Sequence, residues 1–229
     1  MKISSEFSKY ATHYGALNII QNKVVAKLLS MLSIEPKNIL DLGCGSGGVC
    51  RGVSWEYEHF VGVDFAQGML DLHPKSEKVE VVYGDFNDKL FLKNLLSSHS
   101  FDCVLSASAL QWAENLEEVF QTLQDLDAPL FLAIFTSNTF KSLNNTASLK
   151  SILRSANEVN ALQKKYFDVD FEVVEYKLEF ESTRDMFKYI KQSGVSGSRK
   201  VLNYRQTKKL MQEYPVNYLE FEVVFITSH

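Results

Sequence analysis

Directly after an apolar run, the chain reads Asp41-Leu42-Gly43-Cys44-Gly45-Ser46-Gly47-Gly48. Glycines placed in this way let the backbone turn tightly and come close to a ligand, and a helix opening behind them offers N–H groups to polar or anionic atoms. The chemistry such a turn serves is the holding of a nucleotide-like ligand. Asp64 closes the next apolar run, about 20 residues further on, where a carboxylate can accept hydrogen bonds from both hydroxyls of a ribose. A plain glycine turn with a solvated, helix-capping aspartate is the alternative, and the position of both features at strand ends argues against it. Gly43, Gly45 and Gly48 also satisfy GxGxxG, so spacing alone does not separate a dinucleotide from another adenosine ligand.

Two more stretches stand at the ends of apolar runs: Gly84-Asp85 after the third, and Ser106 to Trp112 after the fourth. Open α/β sheets bind ligands at the carboxyl ends of their strands, so the four stretches outline one crevice. The elements that must carry them are strands at Asn38 to Leu42, Phe60 to Asp64, Val79 to Tyr83, Phe101 to Ser106 and Leu130 to Thr136. Helical spacing appears over Ala16 to Leu32, Ala66 to Leu72, Asn115 to Leu126 and Asn144 to Ala161. Uninterrupted apolar strands separated by helices predict a parallel sheet covered on both faces. Phe171 to Phe180 and Tyr218 to Thr227 are partly alternating strand candidates around helices near Thr183 to Gln192 and Gln206 to Glu213, which predicts an antiparallel finish. The fold expected is α/β: a Rossmann-like, doubly wound seven-stranded sheet, mostly parallel with an antiparallel C-terminal strand and helices on both faces.

Composition narrows the function. No linker or repeat divides the 229 residues, so a single domain over 1–229 is expected, with 1–35 as an N-terminal helical cover and substrate-facing insertions over 140–215. A net charge of -4 disfavours nucleic acid, which asks for a basic face. No apolar run approaches the length of a membrane span and Met1 to Ala11 carries no secretory apolar region, so a cytoplasmic protein is expected. Three cysteines without CxxC spacing and five scattered histidines predict neither a disulfide framework nor a metal site.

With these residues in view, the chain resembles the class I S-adenosylmethionine-dependent methyltransferases over nearly its whole length. The resemblance implies that S-adenosylmethionine is bound and leaves as S-adenosylhomocysteine. Gly43 to Gly47, with Cys44 and Gly45 between them and Asp41 ahead, would then pass close to the methionine part. Asp64 would hold the ribose, Asp85 and Phe86 would flank the adenine, Phe65 and Met69 would give it apolar contact, and Ser106 would complete the cofactor site.

A narrower likeness rests on Phe7 to Tyr14 leading to Gln21, on Phe65 to Leu70, on Ser106 to Trp112, and on Phe187 to Gly197. These stretches resemble the malonyl-acyl-carrier-protein O-methyltransferases of biotin synthesis, while the Leu110-Gln111-Trp112 stretch is also similar to trans-aconitate methyltransferases. The family implies that Tyr10, Tyr14, Gln111 and Trp112 border the substrate; for its carboxylate the candidates are Arg184, Arg199 and Lys200, since an arginine can grip a carboxylate bidentately. A malonyl carboxylate is ionised at neutral pH, with a pKa comparable to that of Asp at about 3.9, so no catalytic residue is expected. Alignment of oxygen, methyl carbon and sulfonium would do the work, and the methyl ester would disguise a charged chain end that is costly to bury.

The thioester carrier is left open between acyl carrier protein and coenzyme A. A small free carboxylic acid as acceptor, or a non-catalytic S-adenosylmethionine-binding protein, are the alternatives. Amine methylation is disfavoured because Ser106 to Ala109 lacks the Asn/Asp-Pro-Pro-aromatic arrangement of those enzymes. Two departures stand out: a short connection from Gly47 to the second strand, and Leu126 to Pro129 in place of a Pro-Gly-Gly turn. For an acidic carrier, Lys188, Lys191, Arg199, Lys200, Arg205, Lys208 and Lys209 form the candidate dock.

Overall fold

Ile39, Leu40, Val61, Val104 and Leu105 are each 0% exposed, and a sheet with one wet face could not hide neighbouring residues in this way. The computed structural model, which describes residues 18–193 and 204–228, sets them at the centre of a seven-stranded sheet ordered β3-β2-β1-β4-β5-β7-β6. The strands are β1 (Asn38–Leu42), β2 (His59–Asp64), β3 (Val79–Tyr83), β4 (Cys103–Ala107), β5 (Leu130–Phe135), β6 (Asp170–Glu179) and β7 (Tyr218–Thr227). Every pairing from β3 through β5 is parallel, and β7 runs antiparallel to both β5 and β6. This is the doubly wound sheet with an antiparallel last strand that the apolar pattern predicts.

Nine α-helices are described: α1 (Ile19–Ser30), α2 (Gly48–Gly52), α3 (Gln67–Leu70), α4 (Lys89–Ser98), α5 (Leu116–Gln124), α6 (Lys141–Thr146), α7 (Ala156–Gln163), α8 (Thr183–Ser193) and α9 (Tyr204–Glu213). Alternation along each strand divides the core in two. Leu40, Val61, Val104 and Leu132 face Leu92 and Leu95 of α4, Phe120 of α5 and Val159 of α7. Ile39, Phe60, Leu105 and Phe131 face Ile20, Val24 and Leu28 of α1 and Met186 of α8. Those three α1 residues recur every four positions, which places them on one stripe of the helix.

The single helix predicted over Asn144 to Ala161 is instead two. Ser148 takes a left-handed conformation at φ 53° and ends the first. Ser155 then starts α7 with a capping box, its side chain accepting from the Glu158 N–H while the Glu158 carboxylate reaches back to the Ser155 N–H. Helix α4 goes unnamed in the sequence reading although Asp88 signals it, its Oδ1 accepting from the N–H groups of Leu90 and Phe91. The N-terminal cover expected over 1–35 is represented among the described residues by α1, which packs on the second core layer.

Candidate functional site

The polypeptide leaves β1 at Leu42 and turns over the end of β2. The N–H groups of Gly43 and Cys44 both donate to the Val63 carbonyl, at 2.8 and 2.9 Å, and that of Gly47 donates to the Cys44 carbonyl at 2.9 Å. Gly45 N–H donates to Asp64 Oδ2 at 3.0 Å. Four N–H groups of the loop itself are thus engaged within the protein, while the helix behind it opens with the first-turn N–H groups of Gly48, Val49 and Cys50, which have no acceptor within the helix. What the loop offers is room. Gly43, Gly45 and Gly47 all have left-handed φ, at 72°, 53° and 88°. A side chain at Gly43 would collide with Ala109, and one at Gly47 with Pro74 and His73. Only at Gly45 would a Cβ meet nothing within 4 Å. Of the three, Gly45 is the glycine whose missing side chain leaves open space in the cleft.

Two acids lie beneath it. Asp41 is 0% exposed, and neither of its carboxylate oxygens has a hydrogen-bond partner among the described residues. Burial, and then the charge of Asp64, hold its carboxyl well above the usual carboxylate range. Asp64 is 9% exposed and accepts from Ala66 N–H through Oδ1 at 2.8 Å as well as from Gly45 N–H. Burial pushes its pKa up too, against the lowering pull of the Ala66, Gly45 and Phe65 N–H groups. Each bonded oxygen keeps a lone pair for a further donor.

These acids form one end of a cleft of about 710 Å³, whose apolar wall includes Phe65, Met69 and Phe86. The arrangement separates the ligands that GxGxxG leaves together. A dinucleotide pyrophosphate would bring its negative charge up to two buried carboxylates. S-adenosylmethionine brings ribose hydroxyls for Asp64 and positive charge to set against the unpartnered Asp41, so the residues present fit it. Cys44 also lines the cleft, but burial pushes its thiol far up, which leaves it no nucleophile.

The loop after β4 lines the cleft as well, through Ser108, Ala109 and Trp112. Ser108 adopts φ 64° and its buried Oγ has no partner among the described residues. Its N–H donates to the Ala133 carbonyl at 2.9 Å, and its carbonyl accepts from Gln111 Nε2 at 2.6 Å. A 3-10 turn over Leu110–Trp112 follows, and Trp112 lines the cleft. Farther along, Glu114 N–H donates to Asn87 Oδ1 at 2.8 Å, and Arg154 Nη2 donates to the carbonyls of Ala113 and Glu114 at 2.8 and 3.2 Å. The loops after β3, β4 and β5 are thereby tied together.

Of the residues singled out from sequence, the structure gathers Asp41, Gly43, Cys44, Gly45, Asp64 and Phe65 around this cleft, together with Met69, Phe86 and Trp112. Others take different places. Ser106 is fully buried and donates to the Leu42 carbonyl at 2.7 Å, joining the ends of β4 and β1 rather than lining the cleft. Gly47 backs onto His73 and Pro74. Asp85 stands off the wall, its Oδ1 accepting from Asn87 N–H and Nδ2 at 2.8 Å each. Gln111 sits behind Ser108, and Arg184 is exposed on α8 away from the cleft. Tyr10, Tyr14 and Arg199 lie outside the described residues, as do Lys200 and the Gly194 to Gly197 stretch.

Among the polar lining residues to which the sequence gives no role are Arg51 on α2, and Gln21 on α1 and Ser108, which lie in the quoted motifs without a function of their own. Arg51 stands out among these. Arg51 Nη2 donates to Ser46 Oγ at 3.3 Å. Its only sequence signal is its place on the helix that opens behind the glycines. Among the described residues no helix is long and apolar enough to cross a membrane, and no group of three or more His, Cys, Asp or Glu could hold a metal ion.

A family profile described as "Methyltransferase domain" matches residues 39–129, the segment from β1 to the turn before β5. The malonyl-[acyl-carrier protein] O-methyltransferase of Chlorobium luteolum is 25% identical to this chain over 98% of it and 90% of its own length. The protein of that name from Bacillus cereus is 25% identical over 73% of this chain, which spans only 65% of that relative. Among solved structures, Haemonchus contortus phosphoethanolamine N-methyltransferase 2, in complex with S-adenosyl-L-methionine, matches in fold with a TM-score of 0.56 and 15% identity, over 97% of this chain and 57% of that one. The profile thus identifies residues 39–129 as a methyltransferase domain, set in a sheet of the class I S-adenosylmethionine-dependent methyltransferase fold with an acid-lined cleft suited to that cofactor.

Proposed function

We propose that this enzyme transfers a methyl group to the free carboxylate of a malonyl thioester, malonyl-acyl carrier protein above the coenzyme A form, as an early step of biotin synthesis in the cytoplasm. The observation that carries the reading is the likeness to a malonyl-[acyl-carrier protein] O-methyltransferase along 98% of the chain. The chemistry of the cleft is in keeping with it. Arg51 brings a permanent cation and Ser108 an uncommitted hydroxyl to the space that also holds the cofactor acids. Both suit an acceptor that arrives as an anion. Such an acceptor is already a nucleophile and asks the protein for placement rather than for a base.

The same reading takes residues 1–229 as one catalytic unit. Residues 140–215, which include α6 to α9, would then border the substrate and its carrier. Exposed Lys188 on α8 and Arg205, Lys208 and Lys209 on α9 give this region a basic face for an acidic carrier.

A methyl-transfer assay with S-adenosylmethionine tests the proposal, using malonyl-acyl carrier protein, malonyl-coenzyme A and free small di- and tricarboxylic acids. Preference for a malonyl thioester supports it. Turnover of free acids alone would give the site to the second reading, a small-acid methyltransferase.

A further inference from the structure

The resemblance hands the acceptor to Gln111, but Gln111 does not line the cleft: its Nε2 is engaged with the Ser108 carbonyl at 2.6 Å. The residue that does line it is Ser108, one turn earlier. Two features there are unfavourable for the ligand-free fold. A serine at φ 64° occupies a left-handed backbone region disfavoured by its Cβ. Its hydroxyl is also buried without a partner among the described residues. The surroundings hold this conformation from both sides, with the N–H anchored on Ala133 of β5 and the carbonyl on Gln111. Strain that neighbouring structure enforces, at a residue facing a ligand cleft, is the pattern of a group prepared for something not yet bound.

We propose that Ser108 Oγ is the donor that binds the acceptor's carboxylate, and that Gln111 is a positioning residue acting through the Ser108 carbonyl. The sheet assigns Ser108 to the acceptor rather than to the ribose. Asp64 ends β2 and Ser108 follows β4, with β1 between those strands, so the two stand about two strand spacings, or roughly 10 Å, apart across the cleft. A serine hydroxyl donating to a carboxylate makes a charge-assisted hydrogen bond that fixes an oxygen without taking its proton chemistry. This inference rests on the reading of the acceptor as a carboxylate.

The test pairs Ser108→Ala, which keeps the strained backbone and removes the hydroxyl, with Ser108→Gly, which removes both. Kinetics are measured on whichever of malonyl-acyl carrier protein, malonyl-coenzyme A or the free acids the wild type methylates. Both variants should lose about ten- to a hundredfold in kcat/KM for that acceptor, while the affinity for S-adenosylmethionine by calorimetry stays within about twofold. Thermal melting of the ligand-free protein judges the same assignment without any acceptor: Ser108→Ala should melt no lower than wild type, and Ser108→Gly higher. A lower melting temperature for Ser108→Ala would mean that the hydroxyl serves the fold, and an equal loss of cofactor affinity would assign it to the cofactor. Either result overturns the inference, as does an unchanged kcat/KM. If the wild type methylates none of the panel, the carboxylate reading falls, and melting still decides whether the hydroxyl is held in reserve.

Discussion

Ala109 occupies the space that a side chain at Gly43 would need, so the loop after β4 is seated directly on the loop after β1. The absence of a Cβ at Gly43 thus serves packing between two segments of protein, whereas at Gly45 it leaves the cleft open. The two glycines look equivalent in sequence and have different duties.

Substitutions should separate those duties. Gly43→Ala forces an Ala109 clash and a left-handed alanine, and should destabilise the fold by about 2–4 kcal/mol, read as a fall in the urea midpoint. Gly45→Val should cost about 1–2 kcal/mol in backbone strain yet abolish detectable S-adenosylmethionine binding by calorimetry. If Gly45→Val binds normally, the loop is not the cofactor cradle.

Asp64 joins the cleft to the glycine loop through Gly45 N–H. Asp64→Ala removes the acceptor for that donor and for Ala66 N–H as well as the ribose contact. Cofactor affinity should fall by about 1–3 kcal/mol, with a modest loss of stability in the ligand-free protein. Asp64→Asn, which keeps one carbonyl oxygen, should lose less of both; equal affinity in all three proteins would remove Asp64 from the site.

Stability of the ligand-free protein should decline as pH rises from acid toward neutral. The folded-state pKa of Asp41 lies above the ordinary value of 3.8, so in that window the native chain keeps a proton that the unfolded chain has released. The contribution is full below the ordinary value and is lost as pH passes upward through the folded one; Asp64 acts in the same direction. Asp41→Asn should therefore melt higher than wild type at neutral pH, flatten the profile above the ordinary value of 3.8, and weaken cofactor binding. A lower neutral melting temperature would show that the Asp41 charge is compensated.

Charge reversal on α9, Arg205→Glu with Lys208→Glu, should slow methylation of malonyl-acyl carrier protein about tenfold at low ionic strength, an effect that added salt compresses. A malonyl thioester lacking the protein should be far less affected. Equal losses on both would move these residues from docking to the reacting cleft.

The strands were legible because burial on both faces leaves an uninterrupted apolar run, and Asp41 and Asp64 because they stand at the ends of such runs. What stayed hidden depends on residues brought together from afar. Nothing adjacent to Gly43 or Gly47 announces Ala109 or Pro74 as the reason for a missing side chain. Arg51 and Gln21 reach the cleft only because α1 and α2 pack side by side. The break at Ser148 carries neither Gly nor Pro, so an apolar pattern that ran through it read as one helix.

β7 follows both β5 and β6 in the chain yet lies between them in the sheet. On a ribosome adding about 5–20 residues per second, β5 therefore emerges with one edge unfilled, and β6 has no neighbour at all until β7 has been made. Over that interval the nascent chain displays open strand edges to every other polypeptide nearby. The acidic and basic side chains spaced along β6, Glu172, Glu175, Lys177 and Glu179, give that waiting strand a charged border that resists pairing with a stranger. Of these three strands, the one made after both its neighbours is thus the one that joins them.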